Sequence, residues 1–313
     1  MVSSLWKDEN GFTLRSLINK RAYDAAELIS ARIILSEGGE KLIGKKISAA
    51  IIRGSGMQSD ASREGFEKIC TISFDQFLPF VLPPVFDGGH RRELVILLHK
   101  HTGKLVAEFY GRIHYYDVLD QIKATFIIRV LKHLGCQILI ILNAAGGCKK
   151  KLKIGDFVVL NHGDLTPSMP DPHLGIHPIR FFDPASTYNY ELSGVMMTIL
   201  DKLEIQAHYG ALVIQAGTSY ESPIERQKLI DNPLVSAAGM SNYNEAMVAV
   251  FDTRNNLDIG PPDVMRVIGV SVISNNHTLD QPITDDEVVE VMKATNPKID
   301  LATAALLNEV LQP

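Results

Sequence analysis

Short apolar runs alternate with longer amphipathic stretches along this chain, and Gly and Pro residues punctuate them. Apolar positions at mixed three- and four-residue spacing predict a helix over residues 21–40. Ile47–Ile52 is a brief apolar run, a strand that ends in Gly54-Ser55-Gly56. Leu94–Leu98 and Leu105–Tyr110 predict a hairpin around His101-Thr102-Gly103-Lys104. Helical spacing returns over Val118–Leu134, with Gly135 as its stop. Gln137–Leu142 and Phe157–Asn161 read as strands, the first apolar on both faces and therefore buried. The Pro-, His- and Gly-rich region 162–188 predicts a long loop, a kind of segment that tends to carry function. Beyond it, helices over 189–203, 223–229, 244–251 and 285–310 interleave with strands over 209–216 and 267–274. This alternation implies a single α/β domain with a mixed central sheet flanked by helices. Residues 1–24 are expected to form an N-terminal arm before that domain, which spans 25–313.

Composition narrows the class. Hydrophobic residues make up 46% of the 313, enough for a substantial core. A net charge of −5 argues against broad nucleic-acid binding while leaving room for a local anion pocket. Three cysteines without CxxC spacing build no disulfide framework, and a reducing cytoplasm is the expected location. No apolar run approaches the roughly 20 residues of a membrane span, so no membrane partner is expected.

Candidate chemistry concentrates in a few segments. Gly111–Asp117 (GRIHYYD) reads as an extended run whose period-two alternation aims Arg112, His114 and Tyr116 at one face. Arginine can grip a phosphate through two parallel charge-assisted bonds, and the imidazole can add a third donor. Asp117 could orient His114. The same spacing equally describes a surface strand with a solvated arginine and a packed histidine. Leu142–Gly147 (LNAAGG) reads as a strand entering a small-residue turn with accessible backbone amides. Gly54-Ser55-Gly56 is either a phosphate nest or a plain turn. It lacks the third glycine of a dinucleotide fingerprint, and no GKS or GKT follows. Tyr220-Glu221 sits at a strand's C-terminal end, where open α/β sheets bind ligands, though a helix N-cap region explains it as well. Gly239-Met240-Ser241 and Ser274-Asn275-Asn276 add hydroxyls and amides that can read a heterocycle.

In order, the segments GSG, GGH, GRIHYYD, NAAGG, AGTSYES, GMS and SNN resemble the trimeric purine nucleoside phosphorylases. The resemblance runs from about Leu28 to the C-terminus. It implies the nucleoside phosphorylase fold and reversible phosphorolysis of inosine and guanosine to free base and ribose 1-phosphate. A cytoplasmic homotrimer serving purine salvage follows from it, using inorganic phosphate as co-substrate and no cofactor or metal. Phosphate would be held by Ser55, His90, Arg112, His114, Ser241 and the amide of Ala144. Tyr116 and Met240 would hold ribose. Tyr220, Glu221 and Asn275 would take the base, and Asn275, Glu221 and His114 would carry catalysis. Phe181 is the candidate for an aromatic reaching a neighbouring subunit's site.

Several positions depart from the family pattern. A histidine that contacts the ribose 5′-hydroxyl is absent, and Asp285 stands nearest its place. Asn276 replaces a common lysine, Asp117 a glutamate, and Arg53 a small or apolar residue. These changes keep two alternatives open. One is a paralogue with altered base or sugar specificity, using methylthioadenosine, adenosine or a pyrimidine nucleoside. The other is a catalytically degenerate nucleoside-binding protein. A separate class, a dinucleotide-dependent oxidoreductase, is poorly supported because the glycine fingerprint is incomplete.

Overall fold

The computed structural model describes residues 14–58, 63–84, 91–176, 183–254, 265–279 and 283–312. Among the described residues, nine strands form one mixed sheet: β1 (Ile47–Arg53), β2 (Phe66–Ser73), β3 (Glu93–His99), β4 (Leu105–Tyr110), β5 (Ile138–Gly147), β6 (Phe157–Leu165), β7 (Ala207–Ile214), β8 (Val235–Gly239) and β9 (Arg266–Asn276). The spatial order is β2-β3-β4-β1-β5-β8-β7-β6-β9, and β9 also pairs with β5. That second pairing closes β5, β8, β7, β6 and β9 into a ring. Within it β5 and β9 run parallel, and β6, β7 and β8 run the other way.

β5 makes this possible by its length. Its first half pairs with β1, through Ala49–Ile52 against Ile138–Ile141. Its last two residues, Gly146 and Gly147, pair with β8. The LNAAGG segment is therefore strand to its end rather than a turn. Its small side chains let a third neighbour approach.

Both faces of the sheet are buried, so its central strands read as continuous apolar runs. Along β1, Ile47, Ala50 and Ile52 pack on one side while Ala49 and Ile51 pack on the other. The first layer holds α1 (Leu14–Ile34), α4 (Phe126–His133) and α7 (Tyr243–Arg254). The second holds α5 (Tyr190–Lys202) and α8 (Asp285–Val310).

The sequence expectations and the structure also differ elsewhere, β6 running to Leu165 inside the loop expected over 162–188. α1 starts at Leu14 and buries Ile18 and Ala22, so it runs across the expected arm boundary at residue 24. β2 and β8 were not expected, since one is half exposed and the other is only five residues long. The helix expected over 118–134 is broken. Tyr115–Val118 (α2) stops at Leu119, whose φ is 48°, and Asp120 caps Gln121–Ala124 (α3) by accepting from Ile122 and Lys123. The GRIHYYD run is not extended: β4 ends at Tyr110, and the chain turns into α2 with His114 as its N-cap.

Candidate active site

The parallel strands β1, β4, β5 and β9 end on one side of the sheet, the position where α/β sheets expose ligand sites. The loops there, with those after β7 and β8, surround a cavity of about 100 Å³. Ser55, His114, Tyr116, Ala144, Tyr220, Glu221, Met240, Ser241 and Asn275 all line it. The loop after β1 is held tightly. Gly56 has a φ of 69°, and a Cβ there would press on Met292 at 2.9 Å. Asn296 of α8 donates to the carbonyls of Gly56 (3.0 Å) and Gln58 (2.9 Å). Arg53, fully buried, donates to Glu108 (2.5 Å), Asp300 (2.5 Å) and the Met57 carbonyl (3.1 Å).

His114 and Tyr116 meet by stacking, with ring centroids 4.7 Å apart and planes within 9°, rather than by strand alternation. Asp117 accepts the backbone N–H of His114 at 2.9 Å and lies 3.7 Å from its Nδ1. It anchors the backbone of that residue more directly than the ring. Burial pushes the His114 imidazole below its usual pKa against the pull of Asp117, with Arg112 adding to the push.

Arg112 is not on that face. Its guanidinium lies beneath the cavity, where Nη1 donates to Glu245 at 2.8 Å and Nη2 to the Leu142 and Ile52 carbonyls. Nε has no hydrogen-bond partner. The guanidinium thus makes a buried ion pair and is not among the residues lining the cavity, where the expectation set it on phosphate. The cause is the backbone turn after Gly111, which ends the alternation. Glu245 also accepts from the Asn242 amide (3.2 Å), and Asn242 donates to Asn143 Oδ1 at 2.8 Å. Asn143 accepts from Ser271 as well (2.9 Å). This buried lattice fixes β5, β9 and the loop carrying Ser241 relative to one another.

At the far wall, Asn275 accepts from Ser274 Oγ at 2.9 Å while its Nδ2 is buried without a partner. Glu221 accepts from Gln215 at 3.0 Å, and burial raises its pKa. Asn276 points away, donating to the Lys149 (3.0 Å) and Leu152 (2.7 Å) carbonyls, so the exchange for lysine falls outside the cavity. Asp285 and Val288 from the start of α8 complete the lining.

His277 is a polar lining residue outside the segments that the sequence singles out. It is buried beside Asn275, with Nε2 3.4 Å from Glu221 Oε2. Extending the period-two alternation of β9 by one step, from Asn275 to 277, would have flagged it. His90, Phe181 and the expected loop segment 177–182 lie outside the described residues. Cys136 and Cys148 are buried with thiols pushed up to about 12, which suits packing rather than nucleophilic attack. Among the described residues no helix is long and apolar enough to cross a membrane.

The family model described as "Phosphorylase superfamily" matches residues 120–308. Purine nucleoside phosphorylase 1 of Geobacillus stearothermophilus is 31% identical over 248 residues, covering 77% of this chain and 83% of that protein. The chain belongs to the purine nucleoside phosphorylase family. Purine nucleoside phosphorylase 1 of Bacillus subtilis is 35% identical over 208 residues, covering 65% of this chain and 72% of that protein. Among solved structures, isoform 2 of the Schistosoma mansoni purine nucleoside phosphorylase, in complex with cytosine and ribose-1-phosphate, superposes with a TM-score of 0.73. It has 24% identity and covers 93% of this chain and 96% of that one, a likeness of fold. Members of this enzyme family are pentosyltransferases, so the cavity is read below as a glycosyl-transfer site.

Proposed function

We propose that the chain catalyses the reversible phosphorolysis of 6-oxopurine ribonucleosides, inosine and guanosine, to free base and ribose 1-phosphate. One observation carries this reading: nine residues, drawn from β5, β9 and the loops after β1, β4, β7 and β8, line one cavity. Hydroxyls of Ser55 and Ser241, the His114 ring and the Ala144 amide offer donors to inorganic phosphate. Tyr116 and Met240 lie against ribose. Tyr220 stacks near the base, Glu221 accepts its N1–H, and Asn275 donates to N7.

Cleavage leaves positive charge on the sugar and negative charge on the base. Phosphate beneath the ring stabilises the first and then bonds to the anomeric carbon. The unpartnered Nδ2 of Asn275 is ready for the second. A preorganised donor of this kind contributes roughly 3–4 kcal/mol to barrier lowering. The Arg112–Glu245 pair holds the strand ends that carry these groups, and no metal or organic cofactor has a role in the scheme. Assembly as a homotrimer and a cytoplasmic salvage role belong to the same reading. The direct assay is phosphate-dependent release of hypoxanthine from inosine; no release at high enzyme concentration removes the proposal. Sedimentation at three times the chain mass tests the trimer.

A further inference from the structure

His277 lines the cavity yet has no task in the phosphorolysis just described. Both of its ring nitrogens are buried without hydrogen-bond partners, a state native structures seldom hold without a use. The residue is fixed by its backbone, which donates to the Gly147 carbonyl at 2.8 Å. Its Nε2 occupies the space over Gly146, where a Cβ would collide with it and would stand 3.1 Å from Asn275 Nδ2. On the other side Glu221 Oε2 is 3.4 Å away. The wall thus runs Asn275, His277, Glu221. The edge of a purine runs N7, 6-substituent, N1 in the same order.

We propose that His277 reads the 6-substituent of the base: its Nε2–H donates to the oxygen of a 6-oxopurine, and its other tautomer accepts from the amino group of a 6-aminopurine. This rests on the reading above, in which Asn275 takes N7 and Glu221 takes N1. A neutral imidazole carries one donor and one acceptor, so moving a single proton between Nδ1 and Nε2 exchanges the two modes. Burial, helped by Arg226, holds the ring neutral by pushing its pKa down to about 4, so tautomer rather than charge is what changes. Adenine has no proton on N1 and needs a protonated carboxyl opposite it. Burial of Glu221 favours that form, with Arg226 opposing and Glu225 assisting; Cys148 and Tyr220 also face the carboxyl, and Asp285 faces Tyr220. The pair therefore widens base choice to 6-amino as well as 6-oxo purines.

The test measures kcat/KM for inosine, adenosine and purine riboside, which carries only hydrogen at C6. His277→Leu should lower the inosine to purine riboside ratio about tenfold, and the adenosine to purine riboside ratio similarly. His277→Gln, which offers both a donor and an acceptor, should restore both ratios. His277→Lys, a donor only, should restore the inosine ratio alone. If the Leu variant does not fold, the Gln and Lys pair decides: equal handling of inosine and adenosine by both overturns the proposal. So do ratios within twofold of wild type in the Leu variant. A wild-type enzyme that releases base from none of the three nucleosides removes the phosphorolysis reading itself, and this proposal with it.

Discussion

Glu108→Gln should destabilise the protein by about 3–5 kcal/mol, because it strips a fully buried cation of its buried carboxylate partner. Glu108 on β4 accepts from Arg53 at 2.5 Å and from Arg63 at 2.7 Å, and both Arg53 and Glu108 are essentially without solvent exposure. Burial alone would raise the Glu108 carboxyl, but Arg53 and Arg63 outweigh it and hold the group down at about 2, from 4.5. At 1.36 kcal/mol per unit that difference corresponds to roughly 3 kcal/mol, in line with the cost of breaking a buried pair. Asp300 remains on Arg53 but is partly exposed and compensates incompletely. The sign with pH follows from the depressed native value. The contribution is whole above about 4.5 and is lost as pH falls toward 2. With a urea dependence of about 3 kcal/mol per molar, the variant's unfolding midpoint at pH 7 should drop by about 1–1.7 M. Between pH 4.5 and 2 the wild type should lose stability more steeply than the variant. A midpoint shift below roughly 0.2 M, or parallel acid profiles, would refute the assignment of this cluster as a stabilising brace. Arg53 also holds the Met57 carbonyl, so a looser loop should raise the phosphate KM of the folded variant.

Other outcomes follow from the same geometry. Asn275→Ala should lower kcat by about 10²–10³ with little change in KM, since its free Nδ2 acts mainly as charge builds on the base; a pure KM effect would contradict this. Arg112→Ala leaves Glu245 buried without its cation and should cost about 3–5 kcal/mol in thermal or urea unfolding. An unchanged transition would show that Glu245 is neutral in the native state. Asp285→His should increase kcat/KM for inosine relative to 5′-deoxyinosine several-fold, because Asp285 lines the cavity together with Tyr116 and Tyr220. An unchanged ratio would place the 5′ end elsewhere.

Much of the fold was legible because its strands are apolar on both faces and its helices carry clear end signals. The helix expected over 285–310 matches α8, whose start Thr284 and Glu287 close with a capping box. The site was legible through motif order, not through local geometry. Period two placed Arg112 with His114 and Tyr116, yet the chain leaves strand geometry at Gly111, whose φ of 117° only glycine adopts readily. His114 and Tyr116 still reach one pocket, while Arg112 goes beneath it. Local pattern cannot foresee that choice, because the partners are Glu245 and the Leu142 carbonyl, 133 and 30 residues away. His277 failed for the opposite reason. Its pattern was available, but nothing in a single sequence says that Gly146 opposite it leaves room for a ring.

The placement of Arg112 bears on how the site handles an oxyanion. Among the described residues lining the cavity there is no lysine or arginine, and burial disfavours the charged form of His114. The buried Arg112 guanidinium is already paired with Glu245. Phosphate would then be met by oriented N–H and O–H dipoles rather than by a free charge. Such dipoles gain strength as water leaves, and need no counter-ion to be shed first. They also bind a ground-state dianion less tightly than exposed arginines would, which leaves more of the interaction to appear as positive charge develops on the sugar. Increasing ionic strength should accordingly change the phosphate KM little, because buried dipoles are poorly screened. Raising sodium chloride from 0.05 to about 0.5 M tests this; a tenfold rise in that KM would mean that exposed cations, not these dipoles, dominate the capture of phosphate.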